Sequence, residues 1–266
     1  MSKLDFENIK RVVIKVGTST LTRENGELNL ERIANLAWVL SDLRNREIDV
    51  VLVSSGAIGI GTKRLGLSTR PRDVKGKQAT SAVGQAVLMQ IYQNFFMEYN
   101  QVVAQVLLTK DIFDNDERYQ NAKNTFLTLF DLGVIPIVNE NDTVSVDELG
   151  FSDNDNLSAY VSCLAESDLL IILSDIDGLF DSDPNINDDA KIINEVNCID
   201  ENLHNIASGS HNKFGTGGMS SKICAVERAW EKNIPVIIAS GKSPNIIFEI
   251  LKGESIGTLF LKRDCE

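Results

Sequence analysis

The chain has 266 residues, 43% hydrophobic and 24% charged, an ordinary globular composition that excludes disordered, collagen-like and low-complexity readings. Its 26 basic and 38 acidic residues give a net charge of −12, which opposes a broad electrostatic grip on nucleic acid, although a local phosphate site needs only a few aimed N–H groups and a lysine or two. No stretch approaches 18 consecutive apolar residues and the start, MSKLDFENIKRVVIKVG, lacks an apolar core with a cleavage site, so a cytoplasmic protein without a membrane partner is expected.

Short apolar, β-branched runs recur with helix-like segments between them. The first, RVVIKV (11–16), reads as a buried parallel strand except for Lys15. A charge there is costly unless it is paired or aimed into the ligand crevice at a strand's carboxyl end; snorkelling from a sheet edge is the plainer account. Leu30, Ile33, Ala37, Leu40 and Leu43 then share one helical stripe, and VVLVS (50–54) completes a βαβ unit. The run continues as VVLVSSGAIGIG (50–61), where small residues let backbone N–H groups approach an anion and Ser54 and Ser55 add hydroxyls. It matches neither the dinucleotide nor the Walker fingerprint. Helices at about 77–98 and 119–131 alternate with strands VVAQVLL (102–108) and GVIPIV (133–138).

Next comes NENDTVSVDELGFSDNDNLSAYV (139–161), dense in amides and acids, before a helix over 154–166. Helix capping explains one or two of these residues. The remainder suit recognition of an amino-acid ammonium group, with Asp142 and Asn154 as candidates. LLIILSDIDGLFDSDP (169–184) takes a strand at 168–173 into Ser174 and Asp175, which also fit a capped turn. After a polar excursion at 181–197, HNKFGTGGMSSKICAVERAW (211–230) sets Gly215 to Gly218 before a helix over 219–232 that carries Lys222 in its first turns, an arrangement suited to an oligophosphate; IPVIIA (234–239) is a last strand. The order is that of a helix-flanked, mostly parallel sheet in one continuous domain, 1–266.

Cys163, Cys198, Cys224 and Cys265 form no CxxC pair, and two histidines, His204 and His211, cannot build a His-rich zinc site, so reduced, mostly buried thiols and no protein-built metal site are expected. Two lysines, two glycine-rich anion sites, an acidic cluster and no nucleophilic triad point to phosphoryl transfer. A carboxylate acceptor, ionised at pH 7 with a pKa of about 4.3, attacks without a base.

The segments KVGTST, VSSGAIGIG, KQATSAVGQAVLMQIY, NENDTVS, FSDNDNLSA, LSDIDGLFDSDP and GTGGMSSK, in this order over nearly the whole chain, resemble the glutamate 5-kinases of the amino acid kinase family. The resemblance implies a three-layer αβα sandwich, with ATP and L-glutamate giving L-glutamyl 5-phosphate and ADP, the first step of proline biosynthesis, and Mg²⁺ accompanying ATP. It places the nucleotide-contacting lysine at Lys15, the transition-state lysine at Lys222 and, at Asp155, the aspartate that holds both. Glutamate recognition falls on Ser55, Asp142 and Asn154. The ATP site falls on Ser174, Asp175, Thr216, Gly217, Gly218, Met219, Ser220, Ser221 and Lys222, so the N-terminal part serves mainly glutamate and the C-terminal part mainly ATP. It further implies a homo-oligomer (dimer or tetramer), proline as feedback inhibitor and association with glutamyl phosphate reductase. Many members carry a C-terminal PUA module, which this chain is expected to lack. A related kinase with another carboxylate or carbamate acceptor is the alternative.

Overall fold

The computed structural model describes residues 4–23, 26–145, 150–151, 153–184, 186–187, 189–209 and 218–263. The elements run β1 (Arg11–Val16), α1 (Thr18–Leu21), α2 (Leu30–Asn45), β2 (Asp49–Ser54), α3 (Ala57–Arg64), α4 (Val74–Met97), β3 (Val103–Leu108), α5 (Asp116–Asp131), β4 (Ile135–Glu140) and α6 (Asn154–Ala165). They continue with β5 (Leu169–Ser174), β6 (Glu195–Val196), α7 (Glu201–Gly209), α8 (Met219–Trp230), β7 (Val236–Ser240), α9 (Ile246–Leu251) and β8 (Thr258–Phe260). The strands form one eight-stranded sheet in the order β3-β4-β2-β1-β5-β7-β8-β6. All pairings from β3 across to β7 are parallel, whereas β8 runs antiparallel to β7.

Each of the six apolar runs forms a strand. The run expected at 133–138 begins two residues later because Gly133 takes φ +72 and closes α5. Its N–H bonds to Phe130 O and that of Val134 to Leu129 O, which ties off the helix before the strand can start. The short strands β6 and β8, and helices α3, α7 and α9, hold too few residues for periodicity to announce.

The sheet is apolar on both faces because both are covered. Val13, Val51, Val53, Leu170, Ile172, Val236 and Ile238 share one core with residues of α6 and α8 such as Leu157, Val161, Ile223 and Val226. The alternate residues Val12, Ile14, Val16, Val50, Leu52, Ile171 and Ile237 face α2, α4 and α9, where Leu36, Leu40, Leu88 and Ile250 are buried. This is a three-layer αβα sandwich. Strand alternation places Lys15 on the α6–α8 face with Val13. Chain order reverses across β1, with β2 on one side and β5 on the other, so the crevice at the carboxyl ends of these strands is the expected ligand site.

Thiol chemistry departs from expectation in part. Cys163 and Cys224 are free, but Cys224 is exposed, and Cys198 is disulfide-bonded. Burial pushes the Cys163 thiol up to about 11, which keeps it protonated and inert at neutral pH.

Candidate active site

Lys15 near the end of β1, Asp155 in the first turn of α6 and Lys222 in the first turn of α8 converge on the crevice. Lys15 Nζ lies 2.6 Å from Asp155 Oδ1, and Lys222 Nζ donates to Asp155 Oδ2 at 3.0 Å. All three are buried, with relative exposures of 7%, 1% and 2%. Burial pushes the Asp155 pKa up, but the ammonium groups of Lys15 and Lys222 overcome this and hold the carboxyl below its ordinary value. Gly17 follows β1 directly, and a Cβ there would lie 3.5 Å from Lys15 Nζ.

Opening beside this triplet is a cleft of about 760 Å³ whose lining includes Ser55, Gly56, Lys77, Asn139, Asp142 and Asn154. Gly56 is the N-cap of α3 at φ +105, a conformation that favours glycine, and it lines the cleft together with Ala57 and Ile58 of the helix's first turn. Asn154 opens α6 directly after its N-cap Asp153. Its Nδ2 donates to Ser54 O at 2.8 Å, Ser55 Oγ at 2.9 Å and Asn139 Oδ1 at 3.1 Å. Asp142 Oδ2 accepts from Ser81 Oγ at 2.6 Å. Ser55, Asp142 and Asn154 thus line one cleft.

On the other side of β1, Ser174 ends β5 and is buried, donating through Oγ to the exposed Asp175 at 3.0 Å. Gly218 caps α8, a Cβ built on it would meet no atom within 4 Å, Met219 is buried and Ser220 is exposed. Ser221 Oγ donates to Asp153 Oδ2 and accepts from Asn156 Nδ2 at 3.3 Å, tying the starts of α6 and α8 together. Thr216 and Gly217 lie outside the described residues. Among the described residues no three Asp, Glu, His or Cys side chains gather as a metal cage.

Residue patterning did not single out several supporting groups. Asn139 Nδ2 donates to Gln85 Oε1 at 2.9 Å while its Oδ1 accepts from Glu140 N at 2.9 Å. Ser54, whose hydroxyl is expected to face an anion, is instead fully buried, and its Oγ shares a hydrogen bond of 2.8 Å with the OH of Tyr92, a partner that patterning did not single out. The available signal is on α4: Gln78, Ser81, Gln85, Leu88 and Tyr92 recur at heptad spacing, a polar-tipped stripe along the inward face of a helix whose other face is exposed.

The amino acid kinase family model matches residues 10–240. The chain belongs to the amino acid kinase family. It is 52% identical over 265 residues to the glutamate 5-kinase of Clostridium perfringens, covering 98% of each chain. It is also 51% identical to that of Enterococcus faecalis over 97% of this chain and 96% of that one. Among solved structures, UMP kinase from Bacillus anthracis matches with a TM-score of 0.64 at 20% identity, over 95% of this chain and 96% of that one. Isopentenyl phosphate kinase from T. acidophilum gives 0.63 at 17% identity, over 94% and 99%. These distant likenesses concern the fold alone. No helix among the described residues is long and apolar enough to cross a membrane.

Proposed function

We propose that the chain transfers the γ-phosphoryl group of ATP to the side-chain carboxylate of L-glutamate, giving L-glutamyl 5-phosphate and ADP, the first step of proline biosynthesis. About half of its residues are identical to those of named glutamate 5-kinases over nearly the whole length. The observation that carries the chemistry is the buried Lys15–Asp155–Lys222 triplet at the edge of a cleft lined by Ser55, Asp142 and Asn154.

In this reading the glutamate side-chain carboxylate, with a pKa of about 4.3, is already ionised and needs no base. Its oxygen forms a bond to the γ-phosphorus while the bond to the β,γ-bridging oxygen breaks, and that electron pair leaves on ADP. The protein's task is alignment and neutralisation of charge on the transferred group. Lys222 faces that group, Lys15 contacts the nucleotide, and Asp155 fixes both ammonium groups in direction. Ser55, Asp142 and Asn154 hold glutamate; Ser174, Asp175 and residues 216–222 hold ATP, so that the N-terminal part serves mainly the acceptor and the C-terminal part mainly the donor. A divalent ion, which we assign as Mg²⁺, would accompany the nucleotide and would supply shielding of its phosphate charge. The same reading extends to cytoplasmic location, a dimeric or tetrameric homo-oligomer and inhibition by proline. The lability of an acyl phosphate favours handover to an associated glutamyl phosphate reductase.

The test is ATP- and Mg²⁺-dependent hydroxamate formation with hydroxylamine as the acyl-phosphate trap, comparing L-glutamate with aspartate, N-acetylglutamate and carbamate and following ADP in parallel. Product with glutamate alone is expected. Product with another acid would keep the kinase and replace the acceptor, and no ADP from folded protein would overturn the reading.

A further inference from the structure

Gln85 lies in the middle of α4 and is 7% exposed. Its Oε1 accepts from Asn139, while its Nε2 is buried with no hydrogen-bond partner among the described residues. A half-satisfied buried amide is worse for stability than an apolar side chain of the same shape. Its presence therefore points to a demand other than packing.

Backbone groups with fixed roles set the polarity of the amides that Gln85 touches. Glu140 N–H can only donate, so the Asn139 atom that meets it is Oδ1, and Asn139 Nδ2 must turn to Gln85. Ser54 C=O can only accept, so the Asn154 atom that meets it is Nδ2. That same Nδ2 donates to Asn139 Oδ1 and Ser55 Oγ, which leaves Oδ1 of Asn154, a residue lining the cleft, with no donor among the described residues. The relay Gln85–Asn139–Asn154 thus fixes which end of the last amide meets a ligand, and that end is an acceptor. An acceptor suits the ammonium group of an amino acid. If Gln85 lost its acceptor, Asn139 Nδ2 would be stranded in the interior. Rotating Asn139 to rescue it would set two NH₂ groups, those of Asn139 and Asn154, against each other.

We propose that Gln85 is a positioning residue for the acceptor amino acid, acting through Asn139 to keep Asn154 Oδ1 turned towards the substrate ammonium. The proposal rests on the glutamate kinase reading above. Gln85 touches neither substrate in this reading. Its effect is therefore on acceptor affinity and not on the phosphoryl step.

The test is steady-state kinetics on the full chain with Gln85→Met, which removes the acceptor at similar length, and Gln85→Glu, which retains an oxygen for Asn139. In Gln85→Met the glutamate KM should rise about tenfold, with kcat within about threefold and the ATP KM within about twofold, and Gln85→Glu should recover most of the loss. In an Asn154→Ala background Gln85→Met should change the glutamate KM by less than about twofold, because its route of action is already gone. A parallel fall in kcat, an equal rise in the ATP KM, or full additivity with Asn154→Ala would overturn the proposal while leaving the kinase reading intact. If Gln85→Met does not fold, Gln85→Glu decides: a glutamate KM raised tenfold or more would overturn it. Wild-type protein without glutamate-dependent ADP release would remove both readings together.

Discussion

At the scale of single residues the arrangement turns on a shared carboxylate. Two ammonium groups 2.6 and 3.0 Å from the same buried side chain would repel each other without it. Lys222→Ala should lower kcat by at least about 10²-fold, the usual loss for one preorganised charge stabiliser; near-normal turnover would end its assigned role. Asp155→Asn removes the compensating charge from both lysines at once and should cost about 3–5 kcal/mol by chemical denaturation, as for breaking a buried pair. Because the Asp155 carboxyl is held below its ordinary value, its contribution is complete above about pH 3.9 and is lost as pH falls through the lower folded-state value. The Asp155→Asn penalty should therefore be equal at about pH 5 and about pH 8; a smaller penalty at the lower pH would show the carboxyl titrating there. Lys15 was legible as a misfit in an apolar strand, and alternation along β1 explains where it points. The part of Asp155 was not legible from spacing, since an acid in a first helical turn is what capping alone would place there; the resemblance supplied its part, and the structure gives it two cationic partners.

At the scale of elements, α3 and α4 flank the cleft lined by Ser55, Asp142 and Asn154 and meet at a crossing that admits no side chain. A Cβ on Gly84 would lie 1.8 Å from Ala57 O, and one on Gly61 1.9 Å from Thr80 O. These are backbone atoms, so no rotamer change relieves the clash. Gly84→Ala should destabilise by about 3 kcal/mol. It should also raise the glutamate KM, since α3 begins at Gly56 beside Ser55 and would be pushed with it. Denaturation together with acceptor titration checks both, and an unshifted cleft would show as lost stability with unchanged KM. Long elements were legible because a buried parallel strand and an amphipathic helix each repeat their signal several times. The turns of α3 and α9 and the strands β6 and β8 hold too few residues for any period to form. The stripe of α4 is visible as spacing, but which of its polar tips reaches which loop depends on the approach of β2, β4 and α6, a tertiary fact.

At the scale of the whole molecule, the sheet separates two apolar layers and gathers the polar chemistry along one edge. Charged groups reach that edge because strands β1, β2, β4 and β5 all end there, so residues distant in sequence, such as Ser55, Asn154 and Lys222, become neighbours. A net charge of −12 does not prevent phosphate chemistry, since the lysines act over a few ångströms in a desolvated setting where the distant acids are screened. Alternation along β1 carries a further meaning for the folding chain. A β1 paired one residue out of step would drive Lys15 into the layer that now takes Val12, Ile14 and Val16, leaving a buried, unpartnered ammonium at a cost of several kcal/mol. Only one alignment of the central strand lets Lys15 find Asp155. The buried ion triplet therefore also proofreads the assembly of the sheet, and a chain that has closed it has already passed that check.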